Sequence, residues 1–467
     1  MQKKTDLVVV GGGLAGLVAA ACAARSGLSV RLLEKASAAG GRARTQDRDS
    51  FHFNLGPHAL YRGLEGMEVL RRLGIEPRGG LPGVDGAWAL NEGQGHLFPA
   101  GPGSLLRTRL LGWRGKLELG RLLAGVARID TSRFDGVPVA AMVDQLATQP
   151  EVRGLLKALF RLSTYAHAPG QQCGGQALAQ LQSALASNVL YLDGGWQTLV
   201  DGLRACAESA GAVIEAGAAV EEVEVADGCV CGVRLRDSTT IAADAVVLAI
   251  APSEAAALVG ASASSDAGSD ARSDAGSGAS SDAGSDAGSE NGSDQGSELR
   301  AWADAVIPVR AACLDLALDE LPVPERTFAL GIDEPVYFSV HSAAAELAPS
   351  GKALVQAAVY LAPGEVGGPT EEERLLALCD RVQPGWRAHE VNRRFLPNLL
   401  VYHDLVQAER GGLAGRPGPA VPSLPGLYVA GDWVGRTGIL ADASIASGAA
   451  AAELAAAGLA RARTATA

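Results

Sequence analysis

DLVVVGGGLAGLVAAACAARSGLSVRLLEKASAAGGR, residues 6–42, is the stretch whose reading decides the fold. Asp6 to Val10 predicts a short buried strand. GGGLAG, Gly11 to Gly16, predicts a tight turn, and the Ala-rich run to Arg25 predicts a helix. LSVRLLE predicts a second strand ending at Glu34, and a glycine pair, Gly40-Gly41, precedes Arg42. Strand, glycine turn, helix, strand and acid come in the order a dinucleotide site needs. Gly11 permits the turn, Gly13 lets backbone approach a pyrophosphate, and Gly16 lets the helix pack closely on the strand. N–H groups at the helix start face the phosphates, and Glu34 can accept hydrogen bonds from a ribose diol. On GGGLAG and Glu34 alone, NAD and FAD fit equally well.

The 467 residues suffice for two or three domains and a large core. The net charge of −12 is unevenly spread. Residues 261–298 hold eight acids and one Arg, net −7, which leaves −5 for the rest. That acidic balance argues against nucleic acid as a partner. The seven cysteines are scattered, with no CxxC and no Cys/His cluster at zinc spacing, so no metal site is expected. A reduced cytoplasmic setting is the default expectation. MQKK ahead of an apolar run imitates a signal peptide, but Asp6 and three glycines break the run. No uninterrupted apolar stretch of about 20 residues predicts a membrane span.

Outward from the opening, Phe51–Tyr61 (FHFNLGPHALY) predicts a strand that stops at Gly56-Pro57, and a helix follows through Leu64 to Ile75. Residues 139–190 read as helices, and 190–211 as a glycine turn entering a helix. Val220–Asp244 alternates around Asp227-Gly228 as a hairpin, and Ala245–Ile250 predicts a separate buried strand. From 261 to 298 the Ser-Asp-Ala-Gly repeats cannot offset the entropy of ordering and predict a disordered insertion. Val306–Asp319, Pro335–Val340 and Lys352–Leu361 predict neighbouring antiparallel strands, and Glu371–Val382 a helix. GLYVAGD near the end predicts a buried strand, and ADASIASGAAAAELA a closing helix.

Three separated motifs carry a resemblance: VVVGGGLAGL with Glu34, EKASAAGGRART at 34–45, and LYVAGDWVGRTGILADASIASGAAAA at 427–452. The chain resembles the FAD-dependent amine oxidase and phytoene desaturase superfamily. That resemblance implies an α/β fold: a Rossmann-like FAD-binding domain assembled from N-terminal, middle and C-terminal segments (1–80, 190–260 and 420–467). An α+β substrate domain with an antiparallel sheet and helices would occupy 81–189 and 299–419. It further implies FAD, held by Gly11, Gly13, Leu14, Ala15, Gly16, Glu34 and Lys35, with Gly41 and Arg42 at the phosphates. Val220 would flank the adenine, and Gly431 and Asp432 would meet ribityl or phosphate-side groups. Leu440 and Ala441, at the start of the last helix, would aim N–H groups at the flavin's N1–C2 carbonyl edge.

Within the superfamily, YFSVHSAAAELAPSGKALVQAAVYL (337–361) and AGD, rather than AGTE, resemble the phytoene desaturase side. NLGPHAL resembles protoporphyrinogen oxidases. Many amine oxidases carry a lysine near flavin N5 on the strand equivalent to Val309–Leu318, where this chain has Arg310 and no Lys. Aromatics, at 4%, are too few for an amine-binding cage. The expected enzyme is therefore an FAD oxidoreductase acting on CH–CH bonds of a large apolar substrate, by hydride transfer to flavin N5. The alternatives are a protoporphyrinogen oxidase-like or amine oxidase-like flavoenzyme. From another class comes a flavin-free lipid- or prenyl-binding protein, like the Rab escort and GDP-dissociation inhibitor proteins. No nucleophile elbow is present. His58, after a strand that runs near the flavin in the family, and Arg310 are the candidate catalytic side chains. His341, His389, Arg394 and His403 show no spacing logic and receive no role.

One further stretch stands apart. Residues 104–129 carry six basic residues against Glu118 alone, interleaved with leucines and Trp113. They predict an amphipathic helix pair with a solvated basic face, or else a peripheral contact with an anionic membrane.

Overall fold

The computed structural model describes residues 5–83, 86–260 and 296–465. Its first sheet is organised on Thr5–Val10, which pairs in parallel with Val30–Glu34 on one side and Thr240–Leu248 on the other. Val213–Ala216 and Leu427–Val429 extend the parallel set. Both faces of this sheet are covered, which is why its strands are uninterrupted apolar runs. Leu7 and Val9 enter the core shared with the helices Leu14–Arg25 and Leu440–Ala465. Val8 and Val10, of opposite parity, enter a second core with Val246, Val429 and Trp433.

The two helices of the first core approach closely because of Gly448. A Cβ there would lie 2.3 Å from the Ala15 carbonyl oxygen. Leu440–Thr464 is long and apolar enough to cross a membrane by length and composition. Its Ile445, Ala451 and Ala455 are fully buried against the first helix and sheet, which makes it a core helix.

One boundary differs from the sequence reading. The hairpin strands Val220–Ala226 and Cys229–Leu235 form around Asp227-Gly228, but no break separates a hairpin tail from a buried strand. Thr240–Leu248 is one strand. Residues 240–242 pair antiparallel with Cys229–Leu235, while 243–248 pair parallel with the first strand. The two partners occupy different lengths of it, so a change of neighbour needs no change of strand.

The second sheet runs in the order Glu390–Tyr402, Val309–Leu318, Ala353–Tyr360, Val336–Val340, Phe328–Gly331, Trp88–Asn91, Gln94–Leu97. All neighbours are antiparallel except Phe328–Gly331 with Trp88–Asn91. The 13-residue strand Glu390–Tyr402 has no apolar alternation and contains Pro397. It lies at the sheet edge, where a missing N–H breaks no ladder. The helices Val139–Leu146, Pro150–Thr164 and Gly174–Ser187 pack together in a third core.

Of the expected disordered insertion, 261–295 lies outside the described residues. Its last residues do not fit that expectation, because Ser297 and Glu298 open the helix Ser297–Ala305. Glu298 accepts hydrogen bonds from the N–H and hydroxyl of Ser423. All seven cysteines are free thiols.

The crossing at Gly448 yields a stability prediction. Gly448→Val forces the last helix off the Ala15 carbonyl and should cost roughly 1–3 kcal/mol, the range of overpacked cores. Chemical denaturation of the purified variant measures it.

Candidate cofactor and active site

The C-terminal ends of the parallel strands, at Val10, Glu34, Leu248 and Val429, open on one cavity of about 640 Å³. Ligands of open parallel sheets bind at this edge. Gly11 makes the turn in the left-handed region (φ 103°), where a Cβ would strike the Ala249 carbonyl. At Gly16 an added Cβ would come within 1.9 Å of the Gly11 carbonyl oxygen, so helix and turn touch. Gly13 is different. It has ordinary backbone angles (φ −75°), and a Cβ there would meet no protein atom within 4 Å. It borders the cavity, so the missing side chain leaves room for a ligand.

The first helical hydrogen bond beyond the turn is Leu17 N–H to the Gly13 carbonyl (2.9 Å). N–H groups before it have no acceptor inside the helix. Leu14 and Ala15 line the cavity, and the first turn of this helix holds no acid that would compete with a phosphate. Glu34 braces the loop: one carboxylate oxygen accepts from Gly12 N–H (2.6 Å), the other from Ala36 N–H (2.7 Å). Each oxygen keeps acceptor capacity for a ribose hydroxyl. Lys35, also at the cavity, pairs with Glu254 (2.6 Å).

Across the cavity, Arg42 joins three segments. Nη1 donates to the Val401 carbonyl (2.7 Å) and Nη2 pairs with Asp432 (2.6 Å). The other Asp432 oxygen meets His403 Nδ1 at 2.8 Å. Asp432 is 1% exposed. Burial would raise its carboxyl, but Arg42 and His403 outweigh burial and hold it well below the usual carboxylate range. Leu440 and Ala441, opening the last helix, line the cavity beside Gly431 and Asp432. These groups fit a dinucleotide: a glycine cradle with free N–H donors, a half-buried cation anchored on a buried carboxylate, and a second helix start.

Arg44 also lines this side, and toward the second sheet the wall is uncharged. It is built from Leu55, Pro57, His58, Tyr165, Trp196, Ala311, Cys313 and Leu399. Tyr165 ends its helix in the left-handed region (φ 59°), uncommon for an aromatic residue. Its ring meets Tyr360 edge-on at 6.1 Å and packs in one cluster with Ala311 and Cys313. Burial pushes the Cys313 thiol and the Tyr165 phenol well above their ordinary values. His58 Nδ1 bonds the Gly56 carbonyl (3.0 Å), and its ring edge packs on Trp196 (4.9 Å). Burial lowers its pKa, so the imidazole is neutral at pH 7.

The cavity thus brings together most of the residues singled out by sequence, but not all. Gly16 supports the turn from behind it. Val220 starts a hairpin strand opposite Leu235 and does not border the cavity. Arg310 fails as a catalytic candidate on strand parity. Ala311 and Cys313 face the cavity, so Arg310 points to the opposite side, where Nη1 donates to the Asn398 carbonyl (3.3 Å).

Two side chains given no role do have one here. His403 holds Asp432. Arg394 forms a fully buried pair with Asp315 and donates to the Asn54 carbonyl. With Gln356, whose Nε2 donates to the Gly56 carbonyl (2.9 Å), it pins the Asn54–Pro57 turn to the second sheet. His341 stacks on Tyr191 (3.9 Å) and bonds Tyr337 (3.0 Å), with burial pushing it down to about 3. His389 pairs at the surface with Asp319. Apart from Tyr337, four residues before His341, the partners are distant in sequence, so no local spacing announces them.

The sequence profile of flavin-containing amine oxidoreductases matches residues 14–270, more than half of the chain. A carotenoid 3,4-desaturase of Haloarcula japonica is 50% identical over 52 residues, which cover 11% of this chain and only 10% of that protein. Among solved structures, a protoporphyrinogen oxidase homologue from Exiguobacterium superimposes with a TM-score of 0.67 at 18% identity, covering 98% of this chain and all of that one. A putrescine oxidase variant gives 0.70 at 15% identity, covering 98% and 99%. At such identities the structural likeness speaks to the fold.

Gly13 and Gly16 separate binding from folding. Gly13→Val should leave the apoprotein within about 1 kcal/mol of wild type yet abolish flavin absorbance after reconstitution. If Gly13→Val retains FAD, the pyrophosphate is not at this turn. A pH prediction follows from Asp432. Its folded pKa is depressed, so its contribution is present above the unfolded value of about 3.9 and lost as pH falls below it. Asp432→Asn should flatten that acid limb of the melting profile.

Proposed function

The chain belongs to the flavin-containing amine oxidoreductase family and uses FAD, and from that premise we propose that it oxidises a C–H bond in a large, uncharged, apolar substrate. A phytoene desaturase-type polyene is the class it fits best. The reading rests on one observation. Charged lining residues (Glu34, Lys35, Arg42, Arg44, Glu254 and Asp432) all lie at strand ends, helix starts or connecting segments around the first sheet. Toward the second sheet the wall carries no charge at neutral pH.

A cationic amine needs a carboxylate or an aromatic cage to offset its desolvation. The only carboxylates on the cavity are Glu34, Glu254 and Asp432, each already engaged by an N–H donor or a cation. No lysine stands on the cavity face of Val309–Leu318. An apolar chain loses nothing on such a wall and gains by leaving water. The short match to a carotenoid 3,4-desaturase supports the same class. The family match sets aside a flavin-free binding protein.

When bound, FAD supplies a hydride acceptor at N5. The chain's own residues would bind, orient and keep water out. Gly11, Gly13, Leu14 and Ala15 would hold the pyrophosphate, Arg42 would neutralise it, and Glu34 would hold the ribose. The first turn of the last helix would stabilise negative charge through its free N–H groups. Ala311, Cys313, Leu399 and Tyr165 would hold the substrate without hydrogen-bonding it. His58 is the only residue on this wall whose ordinary pKa lies near neutrality. Burial holds it neutral, against the Gly56 carbonyl that favours the protonated ring, so it can take up one proton without first shedding a charge.

Anaerobic bleaching of the flavin tests the class. Phytoene-type polyenes should bleach it, and primary amines should not. Bleaching by an amine, or by a porphyrinogen with all polyenes inert, overturns the reading. Ala311→Leu adds three carbons to the uncharged wall. It should keep full flavin absorbance while lowering kcat/KM for the polyene about tenfold or more.

A further inference from the structure

The helices Pro102–Arg107 and Trp113–Gly125 contribute nothing to the cavity, yet they carry the most exposed large apolar side chains near any basic cluster. Leu106 is 74% exposed, Trp113 71% and Leu117 46%. Trp113 and Leu117 are four residues apart and share a helix face. Lys116 Nζ donates to the Leu106 carbonyl (2.7 Å), which ties the first helix to the second and brings Leu106 near that face. Beside it runs a shallow groove with Leu117, Leu122 and Ile129 among its apolar residues and Arg114 and Arg121 among its charged ones.

The charges are poised for an outside partner. Glu118, the single acid of the stretch, is already used. Its oxygens accept from the N–H and hydroxyl of Thr148 and from Gln149 N–H; burial would raise its pKa, but these bonds together outweigh burial and lower it. Among the described residues, Arg109, Arg114, Arg121 and Arg128 have no carboxylate within ion-pair distance. Arg114 lies over the Trp113 ring, 5.2 Å from its centre. The chain as a whole is acidic, so bulk charge would repel an anionic surface and only a local patch can attract one.

We propose that this helix pair docks on an anionic bilayer. Leu106, Trp113 and Leu117 enter the head-group boundary, where an indole ring is at its best. Arg109, Arg114, Arg121 and Arg128 meet lipid phosphates. The inference does not depend on which substrate the cavity takes. A bilayer is, however, where a large apolar substrate dissolves.

The test uses the full-length, FAD-loaded protein with phosphatidylcholine vesicles and with phosphatidylcholine–phosphatidylglycerol vesicles, read by co-sedimentation. Binding is expected on the mixed vesicles at low salt only, and is lost near 1 M salt, where screening acts within about 3 Å. Each arginine near the surface should contribute about fivefold in affinity, so R114Q/R121Q should bind about 25-fold more weakly. Its flavin absorbance should be unchanged, because neither residue borders the cavity. W113A should also weaken binding and remove a blue-shifted part of the emission. No binding to mixed vesicles, equal binding to neutral ones, or unchanged binding of R114Q/R121Q overturns the proposal. So does a dimer abolished by W113A without any vesicle binding, which assigns the face to a second copy of the chain.

Discussion

The pairing of Arg42 with Asp432 is the contact on which the site depends. The two residues stand 390 positions apart, and the aspartate is almost fully buried. A carboxylate so placed is tolerated only if a cation and hydrogen-bond donors replace its lost water, and breaking such a pair typically costs about 3–5 kcal/mol. Arg42 and His403 are those replacements. Because Arg42 also donates to Val401, the same guanidinium holds the glycine-loop segment, the edge strand of the second sheet and the C-terminal strand at one point. A guanidinium has five donors in a rigid fork, so one residue can do this and still face a phosphate.

That junction explains the electrical asymmetry of the cavity. Polar and charged groups gather where parallel strands end, because strand ends and helix starts expose unpaired backbone groups. The opposite wall is made from Val309–Leu318 and the edge strand paired with it, whose facing backbone groups bond each other and whose side chains at the cavity (Ala311, Cys313, Leu399) are uncharged. The buried Asp315–Arg394 pair lies behind this wall and does not border the cavity. Its work is mechanical: with Gln356 it fixes the turn that presents His58.

Legibility followed the range of the interactions. The Gly11 turn and the contact of Gly16 with Gly11 are formed within one short loop, so glycine spacing in the chain reports spacing in space. The apolar strands Thr5–Val10 and Ala353–Tyr360 announced themselves because burial on both faces forces apolar runs. Glu390–Tyr402 did not, because an edge strand is half solvated and tolerates Pro397. Arg310 misled for a related reason. A strand can be recognised from its residues, but which face meets the cavity depends on what packs against it, and a single step of parity reverses the answer.

From the sequence alone came the dinucleotide turn, the acid at Glu34, the cofactor class through Gly40-Gly41-Arg42 and the distant Gly431-Asp432, and the strands that neighbour one another in the second sheet. The turn, the acid and the strands depend on backbone conformation and on hydrophobic periodicity, which are local, while the cofactor class is what the resemblance of those motifs to a flavoenzyme superfamily implies. Only the tertiary structure decided that His403 serves Asp432, that Arg394 serves a turn 340 residues away, that Thr240–Leu248 is one strand with two kinds of partner, and that the wall facing the second sheet is uncharged. Each of these is a matter of which residues distant in sequence come into contact. Contact across long separations is set by the packing of whole sheets and helices, and no short stretch of residues encodes it.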